Sequence, residues 1–201
     1  MDSQAAGDQI TQINAWYFEA AELKRAMLAG LAQLNRKIGK LNLDSITDPL
    51  TGLLNRRGMQ IPLEQWQTGN HPFAVIAIDI DHFKQVNDQF GHDVGDQLLR
   101  QLAQLIRQVS RSADVLCRSG GEEFTILLPG TTLANACAIA ERLRQCVADS
   151  PSPNGTPMTI SLGVAHCPDS GSVESSLKQA DRALYAAKHQ GRNRVVTAGA
   201  L

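Results

Sequence analysis

The chain has 201 residues, 43% of them hydrophobic, with a formal net charge of −1. That length allows one domain of roughly 150 residues plus an extension, with apolar mass enough for a full core. The near-zero charge excludes a global field that would draw nucleic acid or an anionic membrane surface, and the longest apolar run, 73–78, falls far short of the roughly 20 residues a spanning helix needs.

Residues 9–44 read as one helix without proline, with apolar Ala20, Met27, Leu31, Leu34, Ile38 and Leu41 in steps of three and four or whole heptads. The seven-residue spacing of Met27, Leu34 and Leu41 describes a short coiled-coil seam, interrupted at Lys24, or an amphipathic helix packed on its own domain. Asp48-Pro49 forces an extended or turn conformation and ends this segment. A short helix follows and stops near Thr68-Gly69-Asn70. Residues 73–79 form a continuous apolar strand of the kind buried on both faces. Helix is expected over 95–108, with Leu98, Leu99, Leu102, Leu105 and Ile106 on one side. Strands over 114–118 and 123–128 flank a Gly-Gly turn and make a hairpin. Helix 133–147, strand 158–166, helix 173–189 and a last strand 194–197 complete the series. The order β-α-α-β-β-α-β-α-β implies an α+β fold, a sheet with helices packed on its faces.

Two acidic clusters carry the chemistry. Gly120-Gly121-Glu122-Glu123-Phe124 sets adjacent carboxylates behind two glycines, with no cation beside them in sequence. Such a pair suits a hard divalent ion and, through it, a phosphate substrate. Asp79-Ile80-Asp81 ends the first strand at the sheet rim, where ligands bind in α/β folds. If that strand pairs with the hairpin, Asp79 and Glu122 meet. Asp79 and Asp81 then share a face; alternatively Asp81 caps the next helix and Asp79 is merely exposed. Asn87 and Asp96, in a segment rich in Gly and Asx, suit either a base edge such as that of guanine or ordinary turn capping. Lys188, His189, Arg192 and Arg194 suit either a helix C-terminus or a clamp on phosphates. Cys117, Cys137, Cys146 and Cys167 include no C-x-x-C pair, which points to reduced thiols in a cytoplasmic protein and away from zinc. The N-terminus carries no secretion signal pattern.

Taken together, these segments resemble the GGDEF-type diguanylate cyclases over residues 44–196. The likeness rests on Asp48-Pro49-Leu50-Thr51-Gly52-Leu53 with Asn55-Arg56-Arg57, then Asp79-Ile80-Asp81, Phe83-Lys84 and Asn87-Asp88, then Gly91-His92 and Gly95-Asp96. It continues through Arg118-Ser119-Gly120-Gly121-Glu122-Glu123-Phe124, Ser161-Leu162-Gly163-Val164-Ala165, Ala180-Asp181, Ala183-Leu184-Tyr185, Ala187-Lys188 and Gly191-Arg192-Asn193. The resemblance implies a palm-like domain over 44–201, with a central, mainly antiparallel sheet and flanking helices, preceded by a signalling or dimerisation helix over 1–43. It implies condensation of two GTP into cyclic di-GMP and two pyrophosphates by a homodimer. Mg²⁺, or Mn²⁺ in its place, would be held by Asp79, the Ile80 carbonyl, Glu122 and Glu123. Glu122 would also accept the ribose 3′-hydroxyl proton. Asn87 and Asp96 would read guanine; Phe83, Lys84, His92 and Gly121 would contact the nucleotide; Lys188 and Arg192 would hold its terminal phosphates.

The same likeness makes Arg111-Ser112-Ala113-Asp114 an R-x-x-D product-inhibition motif, with Arg142, on the next helix, contributing from the same or a neighbouring domain. A catalytically silent cyclic di-GMP receptor would need only that motif. Because Asp79, Glu122 and Glu123 are all present, the enzyme is the favoured expectation. Ser119 departs from the bulky residue many members carry there, outside the metal carboxylates.

Overall fold

The computed structural model describes residues 22–33, 45–153, 155, 157–168 and 171–200. The chain divides into two units, Met1–Asp44 and Ser45–Leu201. In the first, residues 22–33 form helix α1, whose Leu23, Met27, Leu28 and Leu31 are all more than half exposed. The rest of the expected N-terminal helix, including Ala20, Leu34, Ile38 and Leu41 of the seam, lies outside the described residues.

The second unit is built on a six-stranded sheet. Its strands are β1 (Leu54–Asn55), β2 (Phe73–Ile80), β3 (Val115–Arg118), β4 (Glu123–Pro129), β5 (Ile160–Cys167) and β6 (Val195–Thr197), in the order β1-β3-β4-β2-β5-β6. The four central strands pair antiparallel, and β1 and β6 add parallel edges. The helices are α2 (Arg56–Gly69), α3 (Phe83–Phe90), α4 (His92–Val109), α5 (Leu133–Asp149) and α6 (Val173–His189). The sequence pattern anticipated this α+β arrangement but not β1, two residues held by parallel pairing with β3.

β2 is buried along its whole length because both of its faces are covered. Ala74, Ile76, Ile78 and Ile80 pack with Phe83 of α3, Leu98 and Leu102 of α4 and Leu143 of α5. Phe73, Val75 and Ala77 pack with Met59 and Leu63 of α2 and with Ala180 and Leu184 of α6. The two-residue period of a strand therefore sends Asp79 toward the α2–α6 side and Ile80 toward the opposite core. Gly163 on β5 sets the height of α6. A Cβ there would lie 2.1 Å from the Ala180 carbonyl oxygen and 2.2 Å from the Leu184 nitrogen. Only a residue without a side chain lets the α6 backbone rest on the sheet, which brings Lys188, one turn beyond Leu184, to the rim.

Candidate active site

The register of β2 on β4 places Asp79 directly opposite Glu123, with Glu122 next to it at the hairpin tip. Asp79 is buried, at 4% exposure, which removes the reading of it as an exposed bystander. Lys188 Nζ lies 2.7 Å from Asp79 Oδ2. No cation adjoins the acidic pair in sequence; the fold supplies one from the far end of α6. Burial pushes the Asp79 carboxyl above the usual range, the Lys188 hydrogen bond and charge oppose this, and Glu122 and Glu123 push it further up. Asp79 thus stands between one ammonium and two further carboxylates.

Asp81 does not cap α3. His82 holds the N-cap position in the left-handed region, at φ 57°, and no side chain caps that helix start. The Asp81 carboxylate accepts instead from Thr159 Oγ1 at 2.8 Å, Ser161 Oγ at 2.6 Å and the Asn193 N–H at 3.0 Å. It ties the β2–α3 turn to β5 and to the loop after α6. That loop turns through Arg192 and Asn193, both at positive φ, and the Arg192 N–H is bonded to the Ala187 carbonyl. Arg192 is thereby fixed near Lys188 in the chain, with its side chain exposed.

The hairpin tip is preformed. Ser119 and Gly120 N–H groups donate to the Glu123 carbonyl at 2.9 and 3.3 Å. Arg118 Nε and Nη2 donate to the Gly121 carbonyl at 3.1 and 2.7 Å, and Nη1 pairs with Asp48 at 3.1 Å. Neither Gly120 nor Gly121 adopts positive φ, so the turn does not need glycine for its backbone angles. A Cβ on Gly120 would lie 2.6 Å from Glu123 Oε2, whereas one on Gly121 would meet nothing within 4 Å. The first glycine makes room for the hairpin's own carboxylate; the second leaves its surface open to a ligand.

At the α3–α4 corner, Asn87 Oδ1 is buried without a hydrogen-bond partner and rests on Gly95, where a Cβ would lie 2.0 Å away. Asp96 follows on the next residue, half exposed, in a loose 3.9 Å contact with Arg100. A lone buried acceptor beside a carboxylate is an arrangement that a ligand with two or more N–H donors would complete. Lys84 and His92 are exposed. The Phe83 ring is buried in the core, so its backbone is what it can offer a ligand.

The Arg111–Asp114 turn is closed on itself. The Arg111 N–H donates to Asp114 Oδ2 at 2.7 Å, and the Asp114 N–H to the Arg111 carbonyl at 3.1 Å. Arg142 Nη2 caps the end of α4 by donating to the Val109 carbonyl at 2.8 Å. The Asp114 carboxylate and the Arg142 guanidinium are thus partly spent on local bonds, while the Arg111 side chain is exposed.

Sequence reasoning offered Asp81 only a shared face with Asp79 or a helix cap, and gave no role to Arg118 or to the cleft between α2 and α6. This cleft, of about 420 Å³, is lined by Arg56, Glu123, Thr125, Asp181, Tyr185 and Lys188. Burial and then Glu123 push the Asp181 carboxyl up, against Arg56. The signal was the mixed charge of Arg56 and Asp181 inside matched motifs, but nothing local says that they face one cleft. The four cysteines are free thiols, and burial pushes that of Cys117 up to about 12.

The centre fits a divalent cation. Asp79, Glu122 and Glu123 gather at one end of the sheet, Lys188 is the one cation paired with Asp79 among the described residues, and all the donors are hard oxygens. Among the described residues no three His, Cys, Asp or Glu side chains form a ready ligand set.

A family model described as "Diguanylate cyclase, GGDEF domain" matches residues 45–194. The chain is 45% identical over 162 residues to the response regulator PleD of Caulobacter vibrioides, covering 76% of this chain and 36% of that protein. It is 42% identical over 156 residues to the diguanylate cyclase DgcM of Escherichia coli K12, covering 75% and 38%. It therefore spans well under half the length of these relatives. Among solved structures it is similar to the coiled coil and GGDEF domain of DgcB from Caulobacter crescentus in complex with c-di-GMP, with a TM-score of 0.80, 31% identity, and 88% and 97% of the two chains covered. It is also similar to the active GGEEF domain of a diguanylate cyclase from Vibrio cholerae, with a TM-score of 0.67, 36% identity, and 72% and 97% covered.

Proposed function

Since this chain belongs to the GGDEF domain family of diguanylate cyclases, we propose that it condenses two GTP molecules into cyclic di-GMP with release of two pyrophosphates. The observation that carries the reading is the buried Asp79 set opposite Glu123, with Glu122 adjacent and Lys188 paired to Asp79. The orphaned Asn87 Oδ1 beside Asp96 supports a guanine end. N1–H and N2–H of guanine are donors for those two acceptors, and adenine offers no such pair on that edge.

Asp79, the Ile80 carbonyl, Glu122 and Glu123 would hold a divalent cation, Mg²⁺ or Mn²⁺. When bound, that ion neutralises phosphate oxygens and makes a nearby hydroxyl a stronger acid. Glu122 accepts the 3′-hydroxyl proton of one GTP. The freed oxygen attacks the α-phosphorus of the other GTP in line, a new P–O bond forms, and the bond to the β-phosphate oxygen breaks. Lys188 and Arg192 hold the departing pyrophosphate end. The same step in the reverse sense closes the ring.

One site holds one GTP, so two copies face each other about a two-fold axis. Residues 44–201 act as the catalytic unit and residues 1–43 as the dimerisation helix. The exposed Leu23, Met27, Leu28 and Leu31 of α1 support a parallel pairing that raises the effective concentration of the second domain. Product returning to Arg111, Asp114 and Arg142 inhibits the enzyme; the c-di-GMP complex of DgcB supports product binding in this family. Among the described residues no helix is long and apolar enough to cross a membrane, and the cytoplasm, where GTP is abundant, is the proposed location. Purified protein given GTP and Mg²⁺ makes a cyclic dinucleotide detectable by mass spectrometry; absence of that product at high protein concentration would sink the reading.

A further inference from the structure

Asp79 and Asp81 sit two residues apart on the same strand end but are satisfied in opposite ways. Asp81 takes three neutral donors from fixed groups, Thr159, Ser161 and the Asn193 backbone. Among the described residues Asp79 has a single donor, the Lys188 ammonium. That donor is removable. The Lys188 side chain is about one-third exposed, at 32%, while that of Asp79 is buried. The lysine's backbone is fixed: Ala183 and Ala187 are fully buried, and the N–H groups of Gln190 and Arg192 are bonded to the carbonyls of Ala186 and Ala187. Only the side chain is free to swing. It has somewhere to go, because Lys188 also lines the α2–α6 cleft with Glu123 and Asp181.

Resting on the reading of Asp79 as a cation ligand, we propose that Lys188 is a resident counter-ion which a divalent cation must displace from Asp79. The ammonium then moves toward the cleft and the nucleotide phosphates. The two jobs of Lys188 exclude each other in time. In the free protein it neutralises a buried carboxylate that would otherwise stand alone; in the loaded protein it holds phosphate. Free protein therefore binds the metal weakly. A nucleotide, by drawing Lys188 away, raises metal affinity beyond what its own phosphate oxygens contribute. Metal and GTP load as a coupled pair, and the coupling is reciprocal.

The probe is Mn²⁺ alone, titrated into nucleotide-free protein and followed by loss of the free-ion electron paramagnetic resonance signal. Lys188→Met tightens Mn²⁺ binding by about tenfold, the middle of the usual range for coupled sites. Arg192→Gln removes a cation from the same end of α6 without an ion pair to Asp79, and changes Mn²⁺ affinity by less than about twofold. Unchanged or weaker binding in Lys188→Met overturns the proposal, as does equal tightening in Arg192→Gln, which would mark a general field. A second measurement needs no variant: Mn²⁺ added to the unaltered protein speeds reductive methylation of Lys188, read by peptide mass, and an unchanged rate overturns the displacement. The titration is independent of turnover. Protein that makes cyclic dinucleotide but fails these tests keeps its proposed activity and loses the displacement; protein that passes them without product does the reverse.

Discussion

The acidic centre and the Arg111–Asp114 turn are both predicted binding corners, yet they are built on different principles. At the centre, Asp79 is buried with Glu122 and Glu123 as like-charged neighbours and pairs with the partly exposed Lys188. At the turn, Asp114 is satisfied by the Arg111 backbone three residues away. A carboxylate held under desolvation and repulsion gains most from a bound cation. One bonded to its own turn keeps its geometry whether or not a ligand arrives. The first arrangement implies a site whose loss is catastrophic, the second a site whose loss is local.

Glu122→Gln tests the first arrangement most severely. It keeps the size of the side chain and removes both the base and an anionic ligand for the cation. Turnover should fall by about a hundredfold to ten-thousandfold, with the thermal midpoint unchanged. Product formation within tenfold of the parent would mean that the base lies elsewhere.

Asn87→Ala comes next. The parent keeps Oδ1 buried and unpaired, a cost to the free protein that a guanine donor would recover. We expect kcat/KM for GTP to fall by about ten- to a hundredfold, while the free protein melts no lower than the parent. A variant that loses stability but not GTP selectivity would make Asn87 a packing residue for Gly95 and nothing more.

The contrast between the two corners also marks what a chain of letters conveys. The continuous apolar run of β2, the hairpin around Gly120 and the Leu-rich face of α4 are local patterns, and each formed near its predicted bounds. Asp79 beside the acidic pair followed from strand pairing alone. Three features did not follow. Asp81 is anchored by Thr159, Ser161 and Asn193, about 80 to 110 positions away, and capping propensity cannot anticipate partners at that range. Lys188 reaches Asp79 because Gly163 sets the height of α6, which is a packing fact. The two-residue β1 is too short to have a period.

Arg118 joins the Asp48 turn to the hairpin tip, so its removal should act on stability first and chemistry second. Arg118→Ala strips the Gly121 carbonyl of its guanidinium donors and takes one donor from Asp48, which keeps the Thr51 N–H and hydroxyl, and should cost about 1–3 kcal/mol. The pH dependence gives the sign. Burial alone would raise the Asp48 carboxyl, but the Thr51 hydroxyl and N–H, with Arg118, hold it below its ordinary 3.8. A carboxyl depressed in the folded state stabilises fully above its unfolded value and loses that contribution as pH falls through the folded one. Between pH 5 and pH 3, urea midpoints of the parent should therefore drop further than those of Asp48→Asn. Equal drops would mean that the ion pair at 3.1 Å contributes nothing to folding.

The turn at Arg111 should give the smallest effect on catalysis and the most selective one. Its guanidinium is exposed, and the bonds that shape the turn run through its backbone N–H and carbonyl. Arg111→Ala keeps both, so the turn, the cap on α4 from Arg142 and initial turnover should all survive. What disappears is a cation and a planar face able to bond or stack on a guanine edge. Progress curves should then run on as product accumulates, where the parent slows. If the variant slows at the same product concentration, inhibition works through another surface. Asp114 would then be only the side chain that closes a turn.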